Sequence, residues 1–335
     1  MERRYTLRLR TRVRESAPFD KLRAGSGAPR HVVLAHVLLL AVVLVWGATF
    51  SLVKSALTAT TPLMFNLVRM ALAFAVLAAV NWPSLRGLTR TDLKLGGAAG
   101  LFLGLGYQFQ TTGLKFTTAS KAAFITGLVV VIVPLLSALP GVALPGSLKP
   151  TFDTYAGAAL AFAGLVLLTT PPGAGIALFS GIGLGEWLCL GCAVAFAAHL
   201  LMLARAAPRV SARRLGTLQI GFAAMVLLVT LPLGGRPAFH SSAMLWIALG
   251  VTAVLATAAA FTIQSWAQQH LPASHTALIF TLEPVFAWLT SLLFFGEQLG
   301  RRAMLGAGLI LAGILLAELR PTSRGRSQLL PIAGA

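Results

Sequence analysis

Glu283 and Pro284 stand side by side in TLEPVFAWL (281–289), inside a stretch from Ala277 to Phe295 that holds no Lys, no Arg and no other acid. A carboxylate and a helix-breaking imino acid are two costly choices for such a segment. Together they suit a gate or a proton site, because Pro284 removes a backbone donor and weakens the helix beside an acceptor group. The competing reading is architectural: a helix–helix hydrogen bond that holds a kink.

Two more ionisable residues lie in apolar surroundings, Lys54 and Arg69. A charge at the centre of a spanning helix costs about 2.5–3.5 kcal/mol, while Leu, Ile, Phe or Val each return about 0.3–0.6. Such groups are tolerated where they face a bundle interior or water. Lys54 sits late in its segment, where it can snorkel. Arg69 is deeper and needs acceptors, from the protein or from an anionic substrate.

Neutral polar and aromatic residues outline a pocket by their spacing. Trp46 and Thr49 share a helical face, as do Tyr107 and Gln110, while Phe261, Gln264 and Gln268 follow the 3, 4 rhythm of one face. Gln219 and His199 stand alone. Interhelical hydrogen bonding is the alternative use for each. The substrate-binding or gating candidates are therefore Trp46, Thr49, Arg69, Tyr107, Gln110, Gln219, Phe261, Gln264, Gln268, Glu283 and Pro284. The sequence offers no catalytic constellation, cofactor motif or metal set. Cys189 and Cys192 form a C-x-x-C inside an apolar run, where small packing residues are the better reading than redox chemistry.

The elements that must position these side chains are membrane helices. Of 335 residues, 57% are hydrophobic and 11% charged, with a mean hydropathy of +0.82; soluble domains carry about 25% charged residues. Runs of the required length, about 20 residues, fall near 33–56, 62–80, 93–114, 120–139, 152–170, 185–204, 215–233, 243–265, 274–295 and 303–319. Ten spans leave no room for a soluble domain. The net charge of +18 follows topology rather than nucleic acid. With both termini inside, 20 of the 27 basic residues fall inside and 5 outside, in accord with the positive-inside rule. Residues 1–32 read as a disordered basic tail without the apolar core of a secretory signal, and 320–335 as a second cytoplasmic tail.

The spans repeat. GYQFQTTGLKFTTASKAAFITGL (106–128) lies over AFTIQSWAQQHLPASHTALIFTL (260–282) at an offset of 154, placing Gln110 on Gln264. GAALAFAGLVLL (157–168) lies over GAGLILAGILLA (306–317) at 149, and Arg69 falls on Gln219 at 150. Five spans per half is odd, so the halves are expected to be inverted, as in secondary transporters. Expected boundaries are 33–170 and 185–319, joined by a linker at 171–184. The glycines at 96, 100 and 104 form a small-xxx-small face for close helix approach.

The segments WGATFSLVKSAL (46–57), NLVRMALA (66–73), GLKFTTASKAAFITGL (113–128), QSWAQQHLPASHTALIFTLEPVFAWLTSLLFFGEQL (264–299) and GAGLILAGILLAE (306–318) resemble the EamA-like family of the drug/metabolite transporter superfamily. The resemblance covers residues 33–319. It implies an all-α integral membrane protein of ten transmembrane helices in two inverted five-helix repeats, with both ends cytoplasmic. It further implies an exporter of small metabolites or amino-acid-like compounds in the cell membrane. One departure concerns symmetry: Val129-Val130 occupies the place of Glu283-Pro284, and the first repeat has its proline at Pro134. Expected partners are a small-molecule substrate and the bilayer, without nucleic acid; homo-oligomerisation is left open. A lipid-modifying membrane enzyme would need clustered His, Asp or Glu, which six His and nine acids scattered along the chain do not supply. A non-transporting scaffold is the remaining alternative.

Overall fold

The computed structural model describes residues 30–142, 151–169, 182–271, 276 and 279–319. The helices are α1 (Arg30–Ala56), α2 (Pro62–Val80), α3 (Arg90–Phe116), α4 (Ala119–Ser137), α5 (Phe152–Thr169), α6 (Leu184–Ala206), α7 (Ala212–Thr230), α8 (Ala243–Ala267), α9 (Glu283–Phe295) and α10 (Arg301–Leu319). Among the described residues there is no strand, only an isolated bridge between Thr60 and Phe239.

Local sequence explains where these helices start and stop. Thr89 and Asp92 form a reciprocal capping box at α3, satisfying two otherwise orphaned amides. Asp92 Oδ2 also accepts from Arg214 Nη1 at 3.1 Å, which ties the start of α3 to the start of α7. Ser211 and Ser242 are simpler caps of α7 and α8, each side chain accepting from one amide, Arg214 N–H and Leu245 N–H. Gly296 ends α9 in the left-handed conformation (φ 64°), open to glycine at little cost.

Among the described residues, seven helices are long and apolar enough to cross a membrane: α1, α2, α4, α5, α6, α7 with its 3₁₀ extension to Gly234, and α8. α9 is shorter, at 13 residues. α3 carries Arg90, Asp92, Lys94, Gln108, Gln110 and Lys115, yet it is wedged between α6 and α7. A helix enclosed by other helices needs little apolar surface for lipid. Large apolar residues such as Val229 and Phe294, both 78% exposed, cover the outside of the bundle.

Glycine governs the closest approaches. A Cβ on Gly100 would stand 2.4 Å from the Phe222 Cβ, and one on Gly96 2.6 Å from the Leu218 Cβ, so the small-residue face of α3 does seat α7. At the α5–α10 crossing, a Cβ on Gly164 would meet the Gly306 carbonyl at 2.6 Å, and one on Gly313 the Gly157 carbonyl at 2.5 Å. The 149-residue offset places Gly157 on Gly306 and Gly164 on Gly313; in the bundle the contacts cross, Gly164 meeting Gly306 and Gly157 meeting Gly313.

The packing follows the repeat. α1 rests on α9 as α6 rests on α4; α3 packs on α7 as α8 packs on α2; α2 meets α7, α4 meets α9 and α5 meets α10. Exchanging the first five helices for the last five leaves this pattern unchanged.

Two helices depart from regularity. α4 breaks at Gly127-Leu128, and the chain breaks again at Thr281-Leu282, 154 residues later, before α9 starts. Pro284 therefore does not kink a continuous helix, as the sequence suggested. It occupies the first turn of α9, where its missing N–H has no helical acceptor in any case. α8 contains a π-helical turn, Val254–Ala259, for which the sequence VLATAA gives no sign.

Candidate functional site

A cavity with a water-accessible volume of about 60 Å³ lies where α1, α2, α3, α4, α6, α8 and the start of α9 converge. That is room for a few water molecules or a small cargo. Eight of the eleven candidate residues line it: Trp46, Thr49, Arg69, Tyr107, Gln110, Phe261, Gln264 and Glu283. His199 also lines it.

The lining is two-fold in sequence. Trp46, Thr49 and Phe50 precede Phe196, His199 and Leu200 by 150 residues; Tyr107 and Gln110 precede Phe261 and Gln264 by 154, as Thr126 and Val129 precede Phe280 and Glu283. Both helix breaks border the cavity, and they meet: a Cβ on Gly127 would lie 3.4 Å from Pro284 Cγ. Irregular backbone at such a depth is tolerated where protein or water surrounds it.

Arg69 is buried, at 3% exposure, and largely satisfied. Nε donates to Thr257 Oγ1 at 2.7 Å, and Nη2 to the Tyr107 hydroxyl at 3.0 Å and the Ala256 carbonyl at 3.3 Å. Its Cζ lies 4.4 Å from the centroid of the Tyr107 ring. The π turn makes this possible, because it withdraws the Ala256 carbonyl from regular α-pairing. Trp46 Nε1 donates to the same carbonyl at 2.8 Å. π turns recur at functional sites for this reason.

Rings connect the rest of the wall. Trp46 contacts Phe261 (centroids 5.3 Å) and Phe280 (5.2 Å), and Tyr107 contacts Phe196 (5.3 Å) and Phe261 (6.1 Å). Glu283 stands at the first turn of α9, where the helix dipole favours a negative charge. Among the described residues, no hydrogen bond or ion pair reaches its carboxylate.

Three candidates lie outside the cavity wall. Gln219 sits behind it: its Oε1 meets His199 Nε2 at 2.8 Å, and its Nε2 donates to Ser265 Oγ at 3.1 Å. It orients a wall residue rather than forming the wall. Gln268 is buried one turn beyond Gln264, with both amide atoms unpaired. Pro284 packs on Gly127 as described. Lys54 does not snorkel outward; its Nζ donates to the carbonyls of Leu114 and Thr117 at the end of α3. Cys189 and Cys192 are free and buried.

Sequence reasoning passed over Phe196, Phe280, Thr126, Thr257 and Asn66. Phe196 is the repeat mate of Trp46, so extending the register would have found it; Phe280 and Thr126 are mates of each other, and neither stood out from its apolar run. Asn66 bridges α2 to the Tyr107 carbonyl at 2.8 Å and accepts from Thr111 at 3.2 Å; its role depends on which face of α2 meets α3. No group of three or more metal-ligating side chains exists among the described residues.

Comparison with known proteins gives a consistent result. The EamA-like transporter family matches residues 33–170 and again 183–319. A protein of Archaeoglobus fulgidus named an uncharacterized transporter is 34% identical over 281 residues, 83% of this chain and 84% of that protein. A second uncharacterized transporter of Archaeoglobus fulgidus is 33% identical over 130 residues, covering 37% of this chain and 44% of that protein. A solved crystal structure matches with a TM-score of 0.61 at 21% identity, over 86% of this chain and 97% of the other, which supports the fold. With the family matched twice along its length and a helical bundle built for the bilayer, the chain is a multi-pass membrane protein that belongs to the EamA-like transporter family.

Proposed function

We propose that the protein is a secondary transporter that exports small metabolites or amino-acid-like compounds by alternating access of two inverted five-helix repeats around the cavity. The observation that carries this reading is the two-fold lining: each repeat contributes equivalent positions to one internal site bordered by two helix breaks. Discontinuous helices at a repeat interface are the usual site of substrate handling in secondary transporters. Export is the direction implied by the family resemblance.

Ten crossings with both termini cytoplasmic are supported by which helix ends meet. Lys54 at the end of α1 reaches the end of α3, Thr117 after α3 donates to Glu186 at the start of α6 at 2.6 Å, and Thr60 pairs with Phe239. Ten crossings put all of these on the outer face. On the inner face, Arg214 reaches the Ser84 carbonyl at 2.7 Å, Arg205 the Val142 carbonyl at 2.6 Å, and Gln269 the Ala207 carbonyl at 3.4 Å. Among the described residues, none of these hydrogen bonds joins ends that this topology would separate.

In this account Glu283 is the coupling or gating carboxylate, Arg69 and Tyr107 fix the wall to α8, and the breaks at 127–128 and 281–282 are the hinges. Flux of a small-metabolite panel in proteoliposomes tests it. Movement of at least one compound above protein-free vesicles is expected. Absence of flux across the panel by folded protein would leave a scaffold instead.

A further inference from the structure

The charged groups of the cavity wall differ in what they have left to offer. Arg69 already donates three of its five N–H groups to Thr257, Tyr107 and Ala256, and its cation rests on the Tyr107 ring. Only the two N–H groups of Nη1 remain. Glu283, by contrast, has no partner among the described residues, and it keeps two acceptor oxygens. The Gln264 amide oxygen is also buried without a donor. The Gln110 and Gln264 amides can both donate and accept, so the unpartnered formal charge of this wall is the Glu283 carboxylate, and the rings of Trp46, Phe261 and Phe280 lie beside it.

An ammonium group brings three donors and no acceptor, and aromatic faces attract it. A carboxylate brings the opposite: it would find Nη1 and the Gln110 and Gln264 amides as donors, but would share a small cavity with the Glu283 charge. A neutral cargo would leave the Glu283 carboxylate unpaired among rings, which is unfavourable when water is excluded.

Resting on the reading of this cavity as the cargo site, the geometry points to a monocationic cargo: a primary amine on a compact apolar or aromatic body, with its ammonium on Glu283 and Gln264 and its body against the rings, which must part to admit it because the cavity as it stands holds only about 60 Å³. This narrows the cargo beyond small metabolites in general. It also gives Arg69 a different part from Glu283, since Arg69 joins α2 to the π turn of α8 and holds Tyr107 while Glu283 meets the cargo.

Three probes share one ring and differ in charge: phenethylamine (cation), phenylalanine (zwitterion) and 3-phenylpropionate (anion). Binding to the purified full chain at pH 7, measured by calorimetry, is expected for phenethylamine at least about tenfold tighter than for phenylalanine, with 3-phenylpropionate weaker still. Glu283→Gln is expected to weaken phenethylamine binding at least about tenfold, and Glu283→Asp to retain part of it, with the melting temperatures of both variants reporting folding. Phenylalanine or 3-phenylpropionate binding as tightly as the amine, or no binding of any probe, overturns the proposal. So does unchanged amine binding in Glu283→Gln. Counterflow in proteoliposomes separates this from the transport reading. An amine that binds through Glu283 but is not moved leaves the cation site standing and removes transport; movement of phenylalanine without the amine does the reverse.

Discussion

At the scale of residues, Glu283 and Pro284 are neighbours because both belong to the first turn of a helix that begins beside the cavity. A first turn accepts proline without losing a bond and favours a carboxylate through the dipole. Pro284→Ala is therefore expected to change stability by less than about 1 kcal/mol, far below the ~3 kcal/mol of an interior helical proline; thermal unfolding in detergent measures it. Glu283→Gln is expected to fold normally while initial transport rates fall or lose their pH dependence. Rates across a pH series, normalised to folded protein, test this, and unchanged rates would return Glu283 to architecture. Arg69→Ala is expected to cost about 2–4 kcal/mol, because it strands the Thr257 and Tyr107 hydroxyls in the interior, while the Ala256 carbonyl keeps Trp46. The sequence exposed these three positions because polar groups in apolar runs stand out. It did not show that Arg69 bonds to a π turn, since VLATAA contains only small and apolar residues and one Thr. Nor did it separate Gln219 and Gln268 from Gln110 and Gln264. All four have the same chemistry, and only helix rotation decides which face the cavity.

At the scale of elements, the glycine patterns were legible because close packing demands them, and the structure pairs them across α3–α7 and α5–α10. Gly100→Ala is expected to destabilise by about 1–3 kcal/mol through overpacking on Phe222. Gly250→Ala has nothing within 4 Å of the added Cβ and is expected to stabilise α8 by about 0.4–1 kcal/mol. Paired melting curves compare the two. The α3 cap gives a pH prediction. Burial raises the Asp92 pKa, but the Thr89 amide, the Thr89 hydroxyl and the Arg214 guanidinium together outweigh it and hold the carboxyl below the ordinary aspartate range. A folded pKa below the unfolded one contributes stability above pH ~4 and loses it as pH falls through the folded value. Asp92→Asn is thus expected to lower the melting temperature at pH 7 and to narrow its gap from wild type on acidification below pH 4. The one-turn misreading of span nine has a physical cause: Glu-Pro is compatible both with a kink inside a helix and with the start of a new one.

At the scale of the whole molecule, the two-fold repeat was legible in the offsets of 149–154 residues, and the exchange-symmetric packing of α1–α5 with α6–α10 agrees with it. Equivalent positions of both repeats line the cavity, while charge breaks the symmetry: Arg69 has the neutral Gln219 as its repeat mate, and Glu283 has Val129. On the proposed reading, rearranging one repeat against the other opens this site to either face. Orientation has a separate check. An impermeant thiol reagent applied outside should modify Arg236→Cys and spare Arg209→Cys. Alternating access itself is tested most directly by a cysteine at Gln110, on the cavity wall, in a Cys189→Ala/Cys192→Ala background within vesicles of defined orientation. The account predicts reaction with impermeant reagent from either side of the membrane, with cargo shifting the balance between the two; reaction from one side only, with and without cargo, would contradict it.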